Sequence, residues 1–588
     1  MIQRYLYNYK VGIAISIAFF YQLICIIQGF DLSDEGWLMY FYQQIFRNPE
    51  SVEAQMPYWF TGIIGGLWYK LWPEGGFFSM RLLGIMINTF MLYVIYRFLK
   101  RFINTPLLLI ALLAQVLIVS GDPKPFGYNP LSAFLVIFVI IIFYYGVEKK
   151  NVFYFITGGF ILGLTFFVRL PNVVYSIFLL LIPFYQSIKE KKLILINKQI
   201  ISAILGVIIA IFFCLALMKV LGHFEIYVNS ISDIINTSSD ETNSHKLGTM
   251  LSIYIKNYVS ILYIASFFLG LGLIYIVLRY YISIKIFSYF LQSLITVFIG
   301  YLSIKYNQAL RDYDMFFINF ISLLGIILLF FNWRKEQVSI KYIGIASLLM
   351  VLFTSVGSDH GILTMWTSTW LSLPFAIAYI YKSIQDFKIK FKKIQLIILK
   401  KSIIEYSIII IVVFFITGIY KVDCCAYYDP GCRKEKIFSI NNKFCHNIYT
   451  NEYRTKLTNE LLVGLSLYVK PNDYLLAYDF IPGINYLTET RSYTSNSWIH
   501  FYSDNRLHLA LEKAVIEKKT LPVIVRHHFL PCNKWSEYDP DYYNENRPES
   551  PHFKNKRTQA INRFISSYDY KTAWSNQHFE ILIPQNIY

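Results

Sequence analysis

The sequence predicts an α-helical polytopic membrane protein with a C-terminal extracytoplasmic α/β domain. Three observations lead there. Of 588 residues, 55% are hydrophobic and only 15% charged, more apolar surface than one soluble core of that size can hide. Apolar runs of about 20 residues recur through the first two thirds, each long enough to cross a ~30 Å hydrocarbon layer. Past Tyr420 the composition turns polar, rich in Asn, Asp, Lys and Pro, and no spanning run follows.

The runs fall at 11–30, 78–98, 105–120, 131–147, 152–169, 172–188, 200–221, 251–279, 284–304, 313–332, 340–356, 364–382 and 402–420, about thirteen transmembrane helices. The first run is longer than a signal-peptide core and no small-x-small cleavage site follows it, so it reads as a retained span. An odd count puts the termini on opposite sides of the bilayer. Basic residues gather in one alternating set of loops, among them Arg97, Lys100 and Arg101, then Lys189, Lys191 and Lys192, then Lys388 to Lys393. The other set carries Asp31, Asp34, Glu35, Asp122, Asp233, Asp312 and Asp359. Lys/Arg loops stay inside, so the N-terminus is expected in the cytoplasm and the acidic loops outside, in the cell (inner) membrane. The net charge of +17 follows from these loops and comes with no nucleic-acid-binding motif.

Residues 31–77 form the first outer loop. Within it Met56 to Trp72, broken by Gly62, Gly65 and Gly66, is too short to span and would invert every later loop if it did. It reads as a helix lying in the outer interface, with Tyr58, Trp59, Trp68 and Trp72 at headgroup depth. Asp34 to Arg47 reads as a second such helix, carrying Trp37, Tyr40, Phe41 and Ile45 on one face. The loop His223 to Thr249 has no apolar period and reads as mobile. Residues 421–588 form the outer domain. Strands are expected at Tyr474 to Tyr478, Pro522 to Val525 and Phe579 to Ile583, with helices at Leu507 to Lys518 and Thr558 to Ile565. Five of the seven cysteines, Cys424, Cys425, Cys432, Cys445 and Cys532, lie in it. An oxidising compartment lets such a cluster form disulfides, and an odd number leaves one thiol over.

The acids Asp31, Asp34 and Glu35 sit where the chain leaves its first span. Ionisable groups at a bilayer boundary are functional candidates by default; the alternative is helix capping and dipole complementation, for which Asp31 and Ser33 are also placed. Arg81 and Arg169 lie at outer helix ends, against the usual charge bias, where arginine can either snorkel or fork onto two phosphate oxygens. Lys305 and Arg311 form a further outer basic pair. Asp122, Tyr128 and Asn129 lie in the second outer loop, and Asp359 and His360 sit in a glycine-flanked turn, where such a pair suggests metal or acid-base work but is more often a plain polar corner. His527 and His528 follow a strand and read as a surface pair.

An inside N-terminus, a long first outer loop opening on Asp34-Glu35, interfacial helices in that loop and a C-terminal outer domain together resemble the GT-C superfamily of membrane glycosyltransferases. The similarity is to the branch of protein O-mannosyltransferases and aminoarabinose transferases, which use polyprenyl-phosphate-linked sugars. Pro57, Arg81 and the turn Gly163 to Asn172 match that branch more loosely. The resemblance implies a polyprenyl-phosphate-sugar-dependent transferase with Asp34 as general base and Glu35 beside it. Arg81, Arg169, Arg311 and Lys305 would hold the donor phosphate, and the acceptor would be a glycan, lipid or protein on the outer face. Membrane lipids are the expected surroundings. No metal site is assigned, although a divalent cation at the phosphate fits the chemistry. The aminoarabinose transferases carry a lysine before the first-loop proline, where this chain has Gln55 and Met56, so phosphate binding must fall to other cations. Two rival classes are a lipid-glycan polymerase, ligase or flippase, and a secondary transporter; the latter would show related halves and mid-membrane acids.

Overall fold

The computed structural model describes residues 2–119, 125–195, 197–238, 247–281, 285–305, 307–358, 361, 368–386, 393–426, 429–502, 506–529, 535, 538–550 and 553–585. Helices occupy the places of all the apolar runs, from Ile2–Cys25 and Gly76–Leu99 through to Lys393–Cys424. Six helical stretches among the described residues are long and apolar enough to cross a membrane, and five shorter ones are apolar. Small residues let neighbouring helices approach closely, as membrane packing favours. A Cβ on Gly159 would lie 1.9 Å from the Ala203 carbonyl oxygen, and one on Gly206 would lie 2.1 Å from that of Ile156, which locks Val152–Val168 against Lys198–Leu221. The basic loops are braced at the far end of the bundle, where Lys189 pairs with Glu148 at 2.9 Å and Lys382 with Glu336 at 2.7 Å.

The last membrane helix runs on to Cys424 before the polar domain begins. That domain is built on a five-stranded sheet with strands β1 (Tyr474–Tyr478), β2 (Arg491–Ser492), β3 (Val523–His527), β4 (Tyr570–Ser575) and β5 (Phe579–Pro584), in spatial order β2-β1-β3-β5-β4. β1 is parallel to both β2 and β3, while β3-β5 and β5-β4 are antiparallel. Helices Arg506–Lys518 and Asn555–Ser567 fall where the apolar period places them. The edge strand β4 was not expected, because Lys571, Thr572 and Ser575 give it no apolar alternation. Cys432 and Cys445 are both free thiols, so neither joins a disulfide.

The first outer loop and the domain share one hydrophobic core. Phe30, Leu32, Met39 and Phe41 pack with Ile440, Phe444, Ile484, Val525, Trp535 and Phe579. Polar ties reinforce it: the buried Asp429 carboxylate accepts from the Phe30 amide at 3.1 Å and pairs with Arg454 at 3.3 Å and Lys436 at 3.5 Å. Arg433 donates to the Cys25 carbonyl at 2.9 Å. The segments that follow the first helix and the last apolar helix therefore pack together.

Two expectations for the loops are corrected. Helix Trp59–Leu71 is largely an internal element. Trp59 is fully buried and donates to His223 at 3.1 Å, Trp68 donates to the Ser79 carbonyl, and the Gly62 to Gly66 face receives Phe41, Tyr42 and Ile45; only Leu67, Leu71 and Trp72 are left as an exposed apolar edge. The stretch after His223 is helical over Phe224–Ser238. Tyr227 and Phe224, one turn apart, pack into the same core as Phe167, a period hidden by the Ser and Asn residues between; 239–246 lie outside the described residues.

Candidate functional site

Helix Asp34–Gln44 opens at the end of a tight polar corner. Asp31 is the group that caps it: its carboxylate accepts from the Ser33 amide at 2.9 Å, the Ser33 hydroxyl at 2.5 Å and the Glu35 amide at 2.8 Å. Ser33 itself makes no side-chain cap bond. Burial, joined by the nearby Asp34 carboxylate, pushes Asp31 up to about 7, because both effects disfavour a second negative charge.

Glu35 points the other way, into the protein. It is fully buried and grips Arg81 through two parallel bonds, Nε to Oε1 at 2.6 Å and Nη2 to Oε2 at 2.5 Å. Arg81 spends its other donors on the carbonyls of Ile26, Gln28 and Gly29. Every N–H of this guanidinium meets a protein acceptor, so Arg81 fixes the exit of the first span onto the first-loop helix and has no donor to spare for a phosphate. Asp34 is the half-buried member of the group, on the same helical face as Trp37 one turn later.

The departure from the expected lysine is explained by packing. Gln55 and Met56 are fully buried, and the Gln55 amide donates to the Trp37 carbonyl at 2.9 Å. A charge at either position would sit in the core rather than at a lipid headgroup.

From Trp37 a row of rings runs to Arg169. Trp37 meets Tyr58 edge-on at 5.6 Å, Tyr58 lies 4.6 Å from Tyr128, and the Arg169 guanidinium lies 5.7 Å over Tyr128. Tyr128 opens helix Tyr128–Lys149 and Asn129 follows it, half-buried. Arg169 ends helix Val152–Val168 in extended backbone, just before Pro171. It is 8% exposed and donates Nη2 to the Gly357 carbonyl at 2.7 Å. Among the described residues no carboxylate lies within ion-pairing distance of it. Gly357 has φ +85°, and a Cβ there would strike Pro171 at 2.4 Å, so a glycine is what lets the carbonyl reach the arginine.

Of the remaining sequence candidates, Asp122, Asp359 and His360 lie outside the described residues, as do the side chains of Lys305 and Arg311. His527 is not a surface residue: it is fully buried at the end of β3, with Nε2 accepting from the Phe480 amide at 3.2 Å and Nδ1 donating to the Phe529 carbonyl at 2.6 Å. His528 is half-buried and reaches Glu580 at 3.2 Å. Among the described residues no group of three or more His, Cys, Asp or Glu side chains could hold a metal.

Sequence reasoning passed over the outer-domain face of this site. Trp498 lies 5.9 Å and Phe501 6.2 Å from Trp37, and Phe480, stacked on His500 at 3.9 Å, joins the same cluster. The contact between Trp37 and Trp498 spans two distant segments and leaves no local period to read. The close fit of Gly36 against the Gly483 backbone, with the Gly483 amide donating to the Leu32 carbonyl at 2.8 Å, holds the two halves together.

No family model and no curated protein matches the chain. Among solved structures, the apo crystal structure of the Archaeoglobus fulgidus oligosaccharyltransferase aligns with a TM-score of 0.46 at 10% identity, over 87% of this chain and 69% of that one.

Proposed function

We propose that this protein is a membrane glycosyltransferase that moves a sugar from a polyprenyl-phosphate donor to an acceptor on the side of the outer domain. The acceptor hydroxyl or amine attacks the anomeric carbon, its proton passes to the Asp34 carboxylate, and the carbon–oxygen bond to the phosphate breaks. The departing polyprenyl phosphate takes the electron pair and gains a negative charge, which Arg169 meets. Glu35 and Arg81 position the helix that carries Asp34 and do not touch the substrate. The acceptor is a glycan, lipid or protein, and the acidic face lies outside the cell membrane.

The observation that carries this reading is Arg169. Burying a guanidinium is costly unless an anion or several acceptors compensate it. Here one carbonyl and one ring face supply part of that compensation, and a phosphate oxygen pair would complete it in the geometry arginine favours. The half-buried Asp34 carboxylate beside Trp37 supplies a base, typically worth 10²–10⁴-fold in rate. The acids at this face stand at helix ends, which does not favour the transporter alternative.

The test uses purified full-length protein in nanodiscs with lipid-phosphate sugars. Asp34→Asn is expected to abolish transfer while leaving folding and donor binding intact. Arg169→Gln is expected to weaken donor binding and slow transfer together. Unchanged transfer by Asp34→Asn removes the base assignment.

A further inference from the structure

The interface between the first loop and the C-terminal domain contains polar atoms that find no hydrogen-bond partner among the described residues. The indole Nε1 groups of Trp37 and Trp498 are both buried and unpaired, and so is Oε1 of Gln55, whose amide nitrogen holds the Trp37 backbone. A buried donor or acceptor left this way costs stability unless something pairs with it. Two such indoles lie in contact, with the unpaired Gln55 oxygen beside them.

The surroundings narrow the ligand. Trp37, Trp498 and the exposed Phe501 present ring faces and edges, with Phe501 4.7 Å from Trp498. The row continues through Tyr58 and Tyr128, both half-buried, and ends at Arg169. Rings that meet edge-on or tilted, with polar donors among them, suit a molecule that has apolar C–H faces and hydroxyls around its edge. A sugar ring is that molecule; a lipid chain would leave the indole N–H groups unpaired, and a peptide strand would seek backbone partners at a sheet edge.

The platform is built rather than loose. The segment carrying Trp498 is pinned by the Asn496 carbonyl, which accepts from Thr494 at 2.7 Å and from Ser492 at 3.2 Å, and by Asn496 Oδ1, which accepts from the Trp498 amide at 3.0 Å. The Ala54 amide of the first loop donates to the Ser495 carbonyl at 3.2 Å, and the Tyr40 hydroxyl accepts from the Ser492 amide at 2.6 Å. Rings held this way can fix a substrate's orientation.

We propose that the sugar of the phosphate-linked donor lies against the cluster of Trp37, Tyr58 and Trp498 rings, so that the two indole N–H groups donate to sugar hydroxyls. The outer domain thereby completes the donor site and sets which sugar is accepted. This rests on the lipid-phosphate reading above, and the experiment separates the two. Affinities of full-length protein in nanodiscs are measured for farnesyl phosphate and for farnesyl phosphate carrying glucose, mannose, galactose or arabinose. At least one sugar-linked probe is expected to bind about tenfold tighter than farnesyl phosphate, the scale of one aromatic–sugar contact. Trp498→Ala is expected to erase that gain and leave farnesyl phosphate affinity unchanged, and Trp498→Phe to restore part of it. Saturation-transfer NMR on the wild-type protein, which needs no variant to fold, is expected to show the strongest transfer at the sugar ring protons.

If farnesyl phosphate binds through Arg169 but no sugar adds affinity, or if Trp498→Ala keeps the gain, the sugar platform is overturned and the phosphate site stands. If farnesyl phosphate does not bind at all, both fall.

Discussion

Replacing Glu35 with Gln should be among the most damaging single changes in the first loop. The side chain is fully buried, and its partner Arg81 is 4% exposed. Both bonds between them are charge-assisted, at 2.6 and 2.5 Å. The three carbonyls that Arg81 also engages cannot neutralise a buried guanidinium once the carboxylate is gone. Breaking one side of a buried pair typically costs 3–5 kcal/mol, mostly the uncompensated charge. Removing both partners at once, as Glu35→Gln with Arg81→Met, discards that charge, so the double variant is expected to be more stable than Glu35→Gln alone. The assay is a double-mutant cycle on unfolding free energy, measured by steric trapping in bicelles, with transfer activity followed in parallel. A cost below about 1 kcal/mol for Glu35→Gln, the range of an exposed pair, would refute the view that this bridge holds the first-loop helix. So would a double variant no better than the single one.

Three further outcomes follow from the same geometry. Burial lowers His527 from 6.5 to about 4; the unfolded chain then binds the proton more readily, so outer-domain stability is full above pH 6.5 and is lost as pH falls toward 4. The loss is about 3 kcal/mol, and His527→Asn should flatten the pH dependence of thermal unfolding in that window. Gly36→Ala should loosen the docking of the outer domain, since the new Cβ would sit 2.5 Å from the Gly483 Cα and backbone cannot yield cheaply; faster limited proteolysis within 421–450 reads this out, and an unchanged cleavage rate counts against it. A membrane-impermeant maleimide should label the free, half-buried Cys432 in intact cells without prior reduction, and a Cys432→Ser control should lose that signal; labelling only after permeabilisation would place the domain inside.

Much of the architecture was legible because hydrophobic length is a strong signal. The helices, the polar domain and β1, β3 and β5 stand close to where the apolar runs put them. The site was legible only in part. Asp34, Glu35, Arg81 and Arg169 look alike in a sequence, as charges at outer helix ends. What separates them is the partner each finds: Glu35 and Arg81 face each other across 46 positions, whereas Arg169 meets a carbonyl 188 positions away. The tryptophan pair was illegible for the same reason. Trp59 misled for a different one, since an aromatic near a membrane surface suits an interface and a core equally until its N–H partner, His223, is known.

The shared core of the first loop and the outer domain bears on how the protein is made. Arg454 and the Phe30 carbonyl it binds are 424 positions apart. The loop must therefore wait while nearly the whole helical bundle is made, with Phe30, Leu32 and Phe41 still lacking their partners. Closing so long a loop adds only slowly growing entropy, so the obstacle is time rather than equilibrium. Nascent chains stalled before the tail is complete should expose these residues to a holding factor or a protease.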